Sequence, residues 1–415
     1  MRIVNRADLV AAFWDGIRAV EPGAAVRRVL AYEAGTVAVD GNPIGRFQPS
    51  RIVVFGIGKA AVAMADAVAE VTGATRGIVV TPYEGSSVIP TMRGGHPIPD
   101  SSSFEAGRAM IELAESVDEV DLVVAVVSGG GSAAVEVSVD GVSPADIAAM
   151  NHVLVDSGAP IGDINEVRSA VSKFKAGGLR THLLTDHLVT LVLSDIADGG
   201  SHLVASGPTV WSGLGDRAAD VVSLHGLADV LPAGVVEAAN RFERRPQVVG
   251  DLVVEVGSPL VAGRAAVASL KRAGIDAELL DKPLEGDTAS AVGAFLDSLR
   301  PGSAIVGVGE TTVDVDGVGV GGRNQHAALL ASMALEGSGG FFAAFGTDGI
   351  DGRTRAAGAV VNGSTVPDLR SSGVDPAKVV SLFDSHTALA SVGATVETGP
   401  TGTNVADLWI GFRLI

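Results

Sequence analysis

Two glycine-rich stretches in the C-terminal half of the chain carry residue types suited to phosphate and metal chemistry. Arg323 and Asn324 follow a glycine pair and precede a run of strong helix formers, which predicts a helix N-terminus that favours an anion. Asp348 and Asp351 lie in a loop after a short apolar strand predicted at 341–345. An arginine and a carboxylate pair suit a phosphate with its Mg²⁺. The alternative is structural: the arginine pairs with a nearby carboxylate, and the aspartates cap backbone N–H groups.

A second candidate site lies in the N-terminal half, where a predicted buried strand at 51–55 leads into a glycine turn and a predicted helix at 60–71. The turn contains Gly58 and Lys59, and its G-x-G-x-x-A spacing is typical of dinucleotide-binding turns, although that match alone is weak. A Walker A loop is excluded because Ala60 stands where a hydroxyl residue would hold Mg²⁺. A lysine opposes the helix dipole here, so a phosphate partner is favoured over a plain surface position.

Polar residues follow two further predicted strands, at 121–127 and 188–193. The first strand is followed by three glycines between two serines, a pattern that lets backbone N–H groups approach an anion: Ser128, Gly129, Gly130, Gly131 and Ser132. The second is followed by Asp195, and strand ends in open α/β sheets face the ligand crevice. A helix predicted at 161–175 would align Asn165, Arg168, Ser172 and Lys175 in one stripe, which is either a solvated face or a way to make a cleft positive.

The composition bounds the fold and the partners. With 415 residues, 47% of them hydrophobic, the chain can bury a large core and divide into two or three domains. A net charge of −18 argues against nucleic acid and anionic membranes as partners, and the absence of cysteine excludes disulfides and a thiolate nucleophile. The sequence has no apolar run long enough to span a membrane. The predicted amphipathic helix at 7–20 contains two aspartates, which would interrupt the apolar region of a signal peptide, so we expect a cytoplasmic protein.

The order of the predicted elements indicates an α/β fold with two domains. We expect a Rossmann-like parallel-sheet domain at 1–245, a linker at 240–246 and a smaller α/β domain at 246–415. The elements predicted for the second domain are strands near 251–256, 277–281 and 303–308, helices near 259–273 and 287–299, and a last strand at 407–412. This last strand follows a Gly/Thr loop that contains Thr401 and Asn404.

Eight segments along nearly the whole chain resemble, in order, the glycerate 2-kinase family: 56–67, 94–100, 127–133, 164–179, 193–209, 319–326, 346–361 and 398–408. The resemblance implies an N-terminal kinase-associated domain and a C-terminal MOFRL domain, with the active site in the cleft between them. It also implies ATP- and Mg²⁺-dependent phosphorylation of D-glycerate to 2-phosphoglycerate, by a monomer or homodimer.

The family's functional residues fall on Lys59, Arg323, Asp195, Asp348 and Asp351. On this basis Lys59 and Arg323 would be cationic clamps on the phosphoryl group or the glycerate carboxylate. Asp195 would orient or deprotonate the acceptor hydroxyl, and the last two aspartates would hold Mg²⁺. The predicted substrate- and nucleotide-binding residues are Gly58, the five residues 128–132, Arg168, Lys175, Asn324, Thr401 and Asn404. His326 and Ala176 depart from the family pattern, which has Glu and Gly there.

Two other classes of function remain open. Gly56, Gly58, Ala61 and Glu84 could belong to an NAD(P)-dependent hydroxypyruvate reductase, although that function leaves the other glycine loops without a role. A non-catalytic sugar-phosphate sensor would tolerate the loss of aspartates that this chain retains. A kinase for a related hydroxy acid is a further alternative within the kinase class.

Overall fold

The computed structural model describes residues 4–197, 200–245, 248, 250–315 and 317–414. Contacts within the chain group these residues into two compact units. The N-terminal unit comprises residues 22–194 and 200–256, and the smaller C-terminal unit comprises the described residues of 1–21, 195–199 and 257–415. This grouping differs from the predicted boundary at 245, because the first helix, α1 (Arg6–Ala19), belongs to the C-terminal unit. Its Gly16 approaches that unit so closely that a Cβ there would lie 3.1 Å from the carbonyl oxygen of Ala262.

The N-terminal unit contains a six-stranded sheet and a small antiparallel sheet. Their strands are β1 (Leu30–Glu33), β2 (Thr36–Val39), β3 (Asn42–Arg46), β4 (Ile52–Ile57), β5 (Arg76–Thr81), β6 (Thr91–Arg93), β7 (Leu122–Ser128), β8 (Leu188–Leu193) and β9 (Leu252–Gly257). The large sheet has the order β6-β5-β4-β7-β8-β9, and its pairs from β6 to β8 are parallel. This is the strand order of a Rossmann fold, so the predicted Rossmann-like sheet is confirmed.

The buried strands of this sheet follow from their sequence. Every residue of β4, β7 and β8 is buried, as expected for Val- and Leu-rich parallel strands that are covered on both faces. The helices of this unit are α2 (Pro22–Val29), α3 (Ala61–Thr72), α4 (Ser101–Glu115), α5 (Gly131–Ala134), α6 (Pro144–Asp156), α7 (Ile161–Ala170), α8 (Ala218–Leu224) and α9 (Ala233–Arg241). The last four pack around a shared apolar cluster that includes Leu154, Val167, Val221 and Val235.

The C-terminal unit is built on a mixed sheet. Its elements are β10 (Ala277–Leu279), β11 (Ala304–Gly309), β12 (Phe341–Gly346), β13 (Ala356–Asn362), β14 (Thr395–Glu397), β15 (Asp407–Phe412), α10 (Pro259–Arg272), α11 (Thr288–Ser298), α12 (Arg323–Ala334), α13 (Thr365–Ser371), α14 (Pro376–Leu382) and α15 (Ser385–Ser391). The order is β10-β11-β15-β12-β13-β14, with the β10–β11 pair parallel and the others antiparallel. The last strand therefore lies inside the sheet.

Three predicted elements differ in the structure. The strand predicted at 251–256 is β9, which completes the N-terminal sheet instead of opening the second domain. The helix predicted at 161–175 ends at Ala170, because the next residues pair with residues 137–139 instead, as in the bond from Lys173 N to Val137 O (2.7 Å). The predicted linker at 240–246 begins inside α9, and its last residue lies outside the described residues. Within the described ranges, none of the helices is long and apolar enough to cross a membrane.

Candidate functional site

The carboxyl ends of β4 and β7 form the point where the strand order of the N-terminal sheet reverses. The turns that follow these two strands are interlocked: Lys59 N donates to Gly129 O at 2.9 Å, and Ala60 N donates to Ser128 Oγ at 3.0 Å. Gly58 has φ +112°, and a Cβ there would lie 2.3 Å from Ser128 O. Gly58 in the first turn is therefore required because the second turn packs directly against it. Ligands of open α/β sheets bind at such reversal points.

Lys59 is positioned by the glycines of the second turn. A Cβ on Gly130 would lie 3.0 Å from both Cγ and Cε of Lys59, so the lysine side chain extends over a position that must stay bare. Helix α3 starts just beyond it, at Ala61, with no side-chain cap. The pKa of His96 is lowered, mainly by partial burial and also by the charge of Lys59. Lys59 thus lies beside a helix N-terminus that has no side-chain cap, and this arrangement suits an anionic ligand.

The same turn contacts a backbone segment with unusual torsion angles. Ser132 Oγ lies 2.7 Å from Ser206 Oγ, and Ser206 and its neighbour Ala205 have φ of +60° and +52°. Ala176 N donates to Ser206 O at 2.7 Å, and Ala176 itself is buried with φ +50°. Ala176 stands where the family pattern has glycine. It therefore adopts a left-handed backbone conformation that would be unstrained for a glycine.

A cavity of about 420 Å³ in the N-terminal unit is lined by four of the predicted binding residues, Gly130, Ser132, Arg168 and Lys175. Although Arg168 and Lys175 are not on one helix, the fold brings both to this cavity. Lys175 forms an ion pair with Glu136, and both side chains are 4% exposed. Ser172 Oγ donates to the same carboxylate at 2.6 Å.

Arg168 has a different partner. Its Nε donates to the amide oxygen of Asn151 at 2.8 Å, and burial lowers the pKa of Arg168 while the charge of Glu136 opposes that effect. Sequence reasoning missed Glu136, Asn151 and Ser206. Of these three residues, Glu136 alone has a signal in the sequence, because it is a single carboxylate among apolar residues.

In the C-terminal unit, Arg323 is held by carboxylates. Its Nε and Nη2 donate to Asp407 at 2.6 and 3.0 Å, and its Nη1 lies 2.9 Å from Glu310. Burial acts to lower the pKa of Arg323, but the ion pair with Asp407 outweighs it and the pKa is raised. Burial raises the pKa of Asp407 to about 6, against the bonds from Arg323 and Asn324. Asp407 was not predicted as a site residue, although it stands at the start of a strand.

The N-terminus of α12 is capped by Asp351 from another loop. The carboxylate accepts from the backbone N–H groups of Asn324 (3.0 Å) and Gln325 (2.8 Å), and from Gln325 Nε2 (3.0 Å). Burial raises the pKa of Asp351 in spite of these bonds. A Cβ on Gly322 would lie 2.3 Å from Asp351 Oδ1, which explains the glycine before Arg323. These contacts are those of the structural alternative for Arg323 and Asp351; the metal-binding role of Asp351 stays a prediction.

Asp348 lies in a separate contact with the loop before β15. Its Oδ1 accepts from Ile350 N at 3.0 Å, and its carbonyl oxygen accepts from Thr401 N at 3.1 Å. Asn404 Oδ1 accepts from Ala406 N at 3.3 Å in the same loop. Three predicted site residues thus lie next to one another where β12 ends and β15 begins, at one end of the two central strands of the sheet. In the described parts of the chain, no three His, Asp or Glu side chains are grouped so that they could hold a metal.

Asp195 and His326 are the two remaining residues that the sequence singled out. Asp195 lies two residues after the end of β8 and is partly buried. His326, which departs from the family pattern, is 7% exposed and stacks on Phe383 with ring centroids 4.9 Å apart. Burial lowers the pKa of His326, and among the described residues its Nδ1 has no hydrogen-bond partner. His326 therefore packs inside its own unit.

Comparisons with known proteins cover both halves of the chain. Residues 8–240 match the family described as "Domain of unknown function (DUF4147)", and residues 303–407 match the MOFRL family. A D-glycerate 2-kinase from Thermotoga maritima is 36% identical over 386 residues, which is 87% of this chain and 90% of that protein. A glycerate 2-kinase from Pyrococcus horikoshii is 32% identical over 420 residues, 95% of this chain and 94% of that protein.

A third relative carries a different name. A protein from Agrobacterium vitis named "Putative hydroxypyruvate reductase" is 36% identical over 382 residues, 86% of this chain and 86% of that protein. Among solved structures, the glycerate kinase (EC 2.7.1.31) from Thermotoga maritima has a TM-score of 0.86 and 33% identity, covering 98% of this chain and 99% of that one. A Pyrococcus horikoshii protein has the same TM-score at 30% identity, with both chains fully covered.

Proposed function

Because the chain belongs to the glycerate 2-kinase family, we propose that it is a phosphotransferase that converts D-glycerate and ATP to 2-phosphoglycerate and ADP, with Mg²⁺. The observation that carries the proposal is the similarity to a D-glycerate 2-kinase along most of both proteins. Phosphoryl transfer depends on positioning and on neutralising negative charge, with little covalent work for the protein. The residues described above are suited to those two tasks.

Lys59 is our candidate for the cation that stabilises the transferring phosphoryl group. Two local observations support this role. The Lys59 side chain packs over Gly130, where a Cβ atom would crowd it, and α3 begins beside Lys59 without a side-chain cap. Asp195 is our candidate for orienting or deprotonating the 2-hydroxyl of the acceptor. Its support is its position two residues after the carboxyl end of β8, a strand of the parallel sheet.

Arg323 is our second candidate cation, and its ion pairs define how it could act. Two of its nitrogens are fixed by buried Asp407, which leaves Nη1 as the nitrogen available for exchange. The partner of Nη1 is Glu310, whose side chain is 57% exposed, and exposed ion pairs contribute about 0–1 kcal/mol. A phosphate could replace Glu310 at small cost.

The carboxylates of the C-terminal unit fit Mg²⁺ unequally. Mg²⁺ is commonly held by one or two carboxylates together with substrate phosphates and water, so a dedicated cluster of protein ligands is not required. Asp348 would hold the ion, since only one of its oxygens accepts a bond from Ile350 N. Both oxygens of Asp351 accept bonds from the backbone of Asn324 and Gln325, so of the two predicted metal ligands Asp351 is the less available. Bound Mg²⁺ supplies charge neutralisation at the phosphate oxygens.

The second candidate is an NAD(P)-dependent hydroxypyruvate reductase. It is favoured by the Rossmann strand order with a G-x-G-x-x-A turn at the reversal point, and by the name of two relatives from Agrobacterium vitis. Against it, the carbonyl of Ser128 occupies the space next to the Cα of Gly58, where a pyrophosphate would have to approach the turn. Glu84, the expected ribose ligand, is an exposed residue beyond β5.

A paired assay distinguishes the two functions. One arm supplies Mg·ATP and D-glycerate and couples the product to enolase, which accepts 2-phosphoglycerate and not 3-phosphoglycerate. The other arm supplies NAD(P)H and hydroxypyruvate. We expect turnover in the first arm alone. Nicotinamide oxidation in the second arm with silence in the first would replace the kinase by the reductase.

A further inference from the structure

Arg168 is a cation of the cavity in the N-terminal unit that lacks a carboxylate partner among the described residues. Its described hydrogen bond goes to the neutral amide of Asn151, at 2.8 Å. In the described part of the chain, no carboxylate lies within ion-pair distance of it, and the nearby Glu136 is already bound to Lys175 and Ser172. A mostly buried charge is costly unless it is paired. A residue kept in this state on a cavity wall suits an anionic ligand.

The charges of the cavity wall indicate what kind of anion it takes. Its cations are Arg168 and Lys175, and its carboxylates are Glu136 and Asp156, so two positive and two negative charges give a formal sum of zero. A triphosphate would need several cations and would meet both carboxylates. A single carboxylate needs only one planar guanidinium, which binds it through two hydrogen bonds. The wall therefore favours a small monoanion over a nucleotide.

We propose that this cavity binds the acceptor, a small 2-hydroxy acid, and that Arg168 receives its carboxylate while Asn151 fixes the guanidinium. This inference rests on the proposed kinase function and deepens it. Ser132 and Gly130 line the same cavity, so the acid would lie beside the turn that holds Lys59. Lys59 would then serve the phosphoryl group and would not be needed for the carboxylate.

Two substitutions test the proposal on the full-length protein. Arg168→Gln removes the charge, and Asn151→Asp places a carboxylate beside Arg168 that competes with the ligand. For both we expect the KM for D-glycerate to rise roughly 10- to 100-fold, since hydrogen bonds to charged groups are lost. The KM for ATP should stay within roughly twofold. Asn151→Asp pairs the arginine but loses the bond from Asn151 Nδ2 to Ile147 O (2.9 Å), so we expect a melting temperature close to that of the wild type, and thermal unfolding of each variant checks that it is folded. The control is Arg241→Gln, an exposed arginine on α9 whose side chain is 63% exposed.

Direct binding separates this inference from the kinase assignment. Calorimetry without nucleotide should show D-glycerate binding to the wild type, loss of that binding in Arg168→Gln, and no binding of glycerol, which lacks the carboxylate. If the wild type turns over D-glycerate but Arg168→Gln binds it equally well, the carboxylate site is elsewhere and this inference fails alone. A rise in the KM for ATP with an unchanged KM for D-glycerate overturns it in favour of a nucleotide site. Arg168-dependent binding of lactate or tartronate by a protein without glycerate kinase activity would support the cavity and end the kinase proposal.

Discussion

A Cβ atom on Gly58 would lie 2.3 Å from the carbonyl oxygen of Ser128. Gly58 also has φ +112°, which an L-residue with a side chain rarely adopts. The turn after β4 and the turn after β7 can therefore approach each other only through a glycine. This contact fixes the backbone on both sides of Lys59, since Lys59 N and Ala60 N both donate to the second turn.

Gly58→Ala should destabilise the protein by about 3 kcal/mol or more, because a strained torsion and a backbone clash add together. Turnover should be lost as well, since Lys59 moves with its turn. The measurement is urea unfolding together with the kinase assay. Gly226→Ala is the matched control: Gly226 has φ +64°, but a Cβ added there would meet nothing within 4 Å, so this variant should lose only about 1–2 kcal/mol. Equal losses in both variants would mean that the two turns are not interlocked.

Lys59→Ala should lower kcat by roughly 10²- to 10⁴-fold, because a charge that stabilises the transferring phosphoryl group is removed. Its melting temperature should not fall, since a lysine at a helix N-terminus opposes the helix dipole. Kinetics and thermal unfolding of the same preparation check both effects. Lys271→Ala, an exposed lysine near the end of α10, should leave kcat unchanged. Full turnover of Lys59→Ala would remove Lys59 from the mechanism.

Arg323 needs a different experiment, because its removal leaves the buried carboxylate of Asp407 unpaired. Arg323→Ala should therefore lose about 3–5 kcal/mol of stability at neutral pH in addition to activity. In an Asp407→Asn background the same substitution should cost much less stability, while kcat should remain low. Recovery of kcat in the double variant would show that Arg323 acts only as the partner of Asp407.

The contrast between these two cations shows how far the sequence could predict the site. The pattern at 321–325 predicted an anion at the N-terminus of α12, and an anion is there, but it is Asp351 from 27 residues away. A single sequence does not reveal which distant loop reaches a helix end. At Lys59, by contrast, the turn, the strand before it and the helix after it are all local, and the structure has them where they were predicted.

The same contrast applies to the fold: some strands can be predicted from their local sequence, and others depend on residues that are distant along the chain. Strands such as β4, β7 and β8 are continuous runs of buried Val, Ile and Leu, which is a signal that a sequence carries by itself. Strand β13 reads Ala-Ala-Gly-Ala-Val-Val-Asn, and alanine and glycine are poor strand formers, so this strand was missed. The central position of β15 depends on pairing with β11 and β12, which are distant along the chain.

The stability of the protein should depend on pH through Asp407. Its folded-state pKa of about 6 lies above its ordinary value of 3.8, so it contributes stability that is fully present below pH 3.8 and is lost as the pH rises through 6. The difference corresponds to about 3 kcal/mol at 1.36 kcal/mol per unit of pKa. The unfolding free energy of the wild type minus that of Asp407→Asn should fall by about 2 kcal/mol, which is most of this amount, between pH 4 and pH 6.5. Parallel pH profiles for the two proteins would contradict the raised pKa.

Arg245 should hold the segment that carries Lys175 in place. Its guanidinium donates to the carbonyl oxygens of Ser172, Lys175 and Ala176, the last at 3.1 Å, and burial lowers the pKa of Arg245 to about 10. Arg245→Ala removes the donor to three carbonyls, so we expect a loss of about 2–4 kcal/mol in urea unfolding. The KM for D-glycerate should also rise, because Lys175 lines the cavity.

The neighbouring Arg244 gives the control for this prediction. Its side chain is 72% exposed, and its contacts are a long ion pair of 3.8 Å with Asp216 and a position 5.7 Å from the Trp211 ring. Exposed contacts of this kind contribute about 1 kcal/mol or less, so Arg244→Ala should stay close to the wild type in stability and in KM. If Arg244→Ala and Arg245→Ala behave alike, the carbonyl contacts of Arg245 do not support the cavity. A selective effect of Arg245→Ala would mean that a residue outside the predicted motifs sets the geometry of the acceptor site.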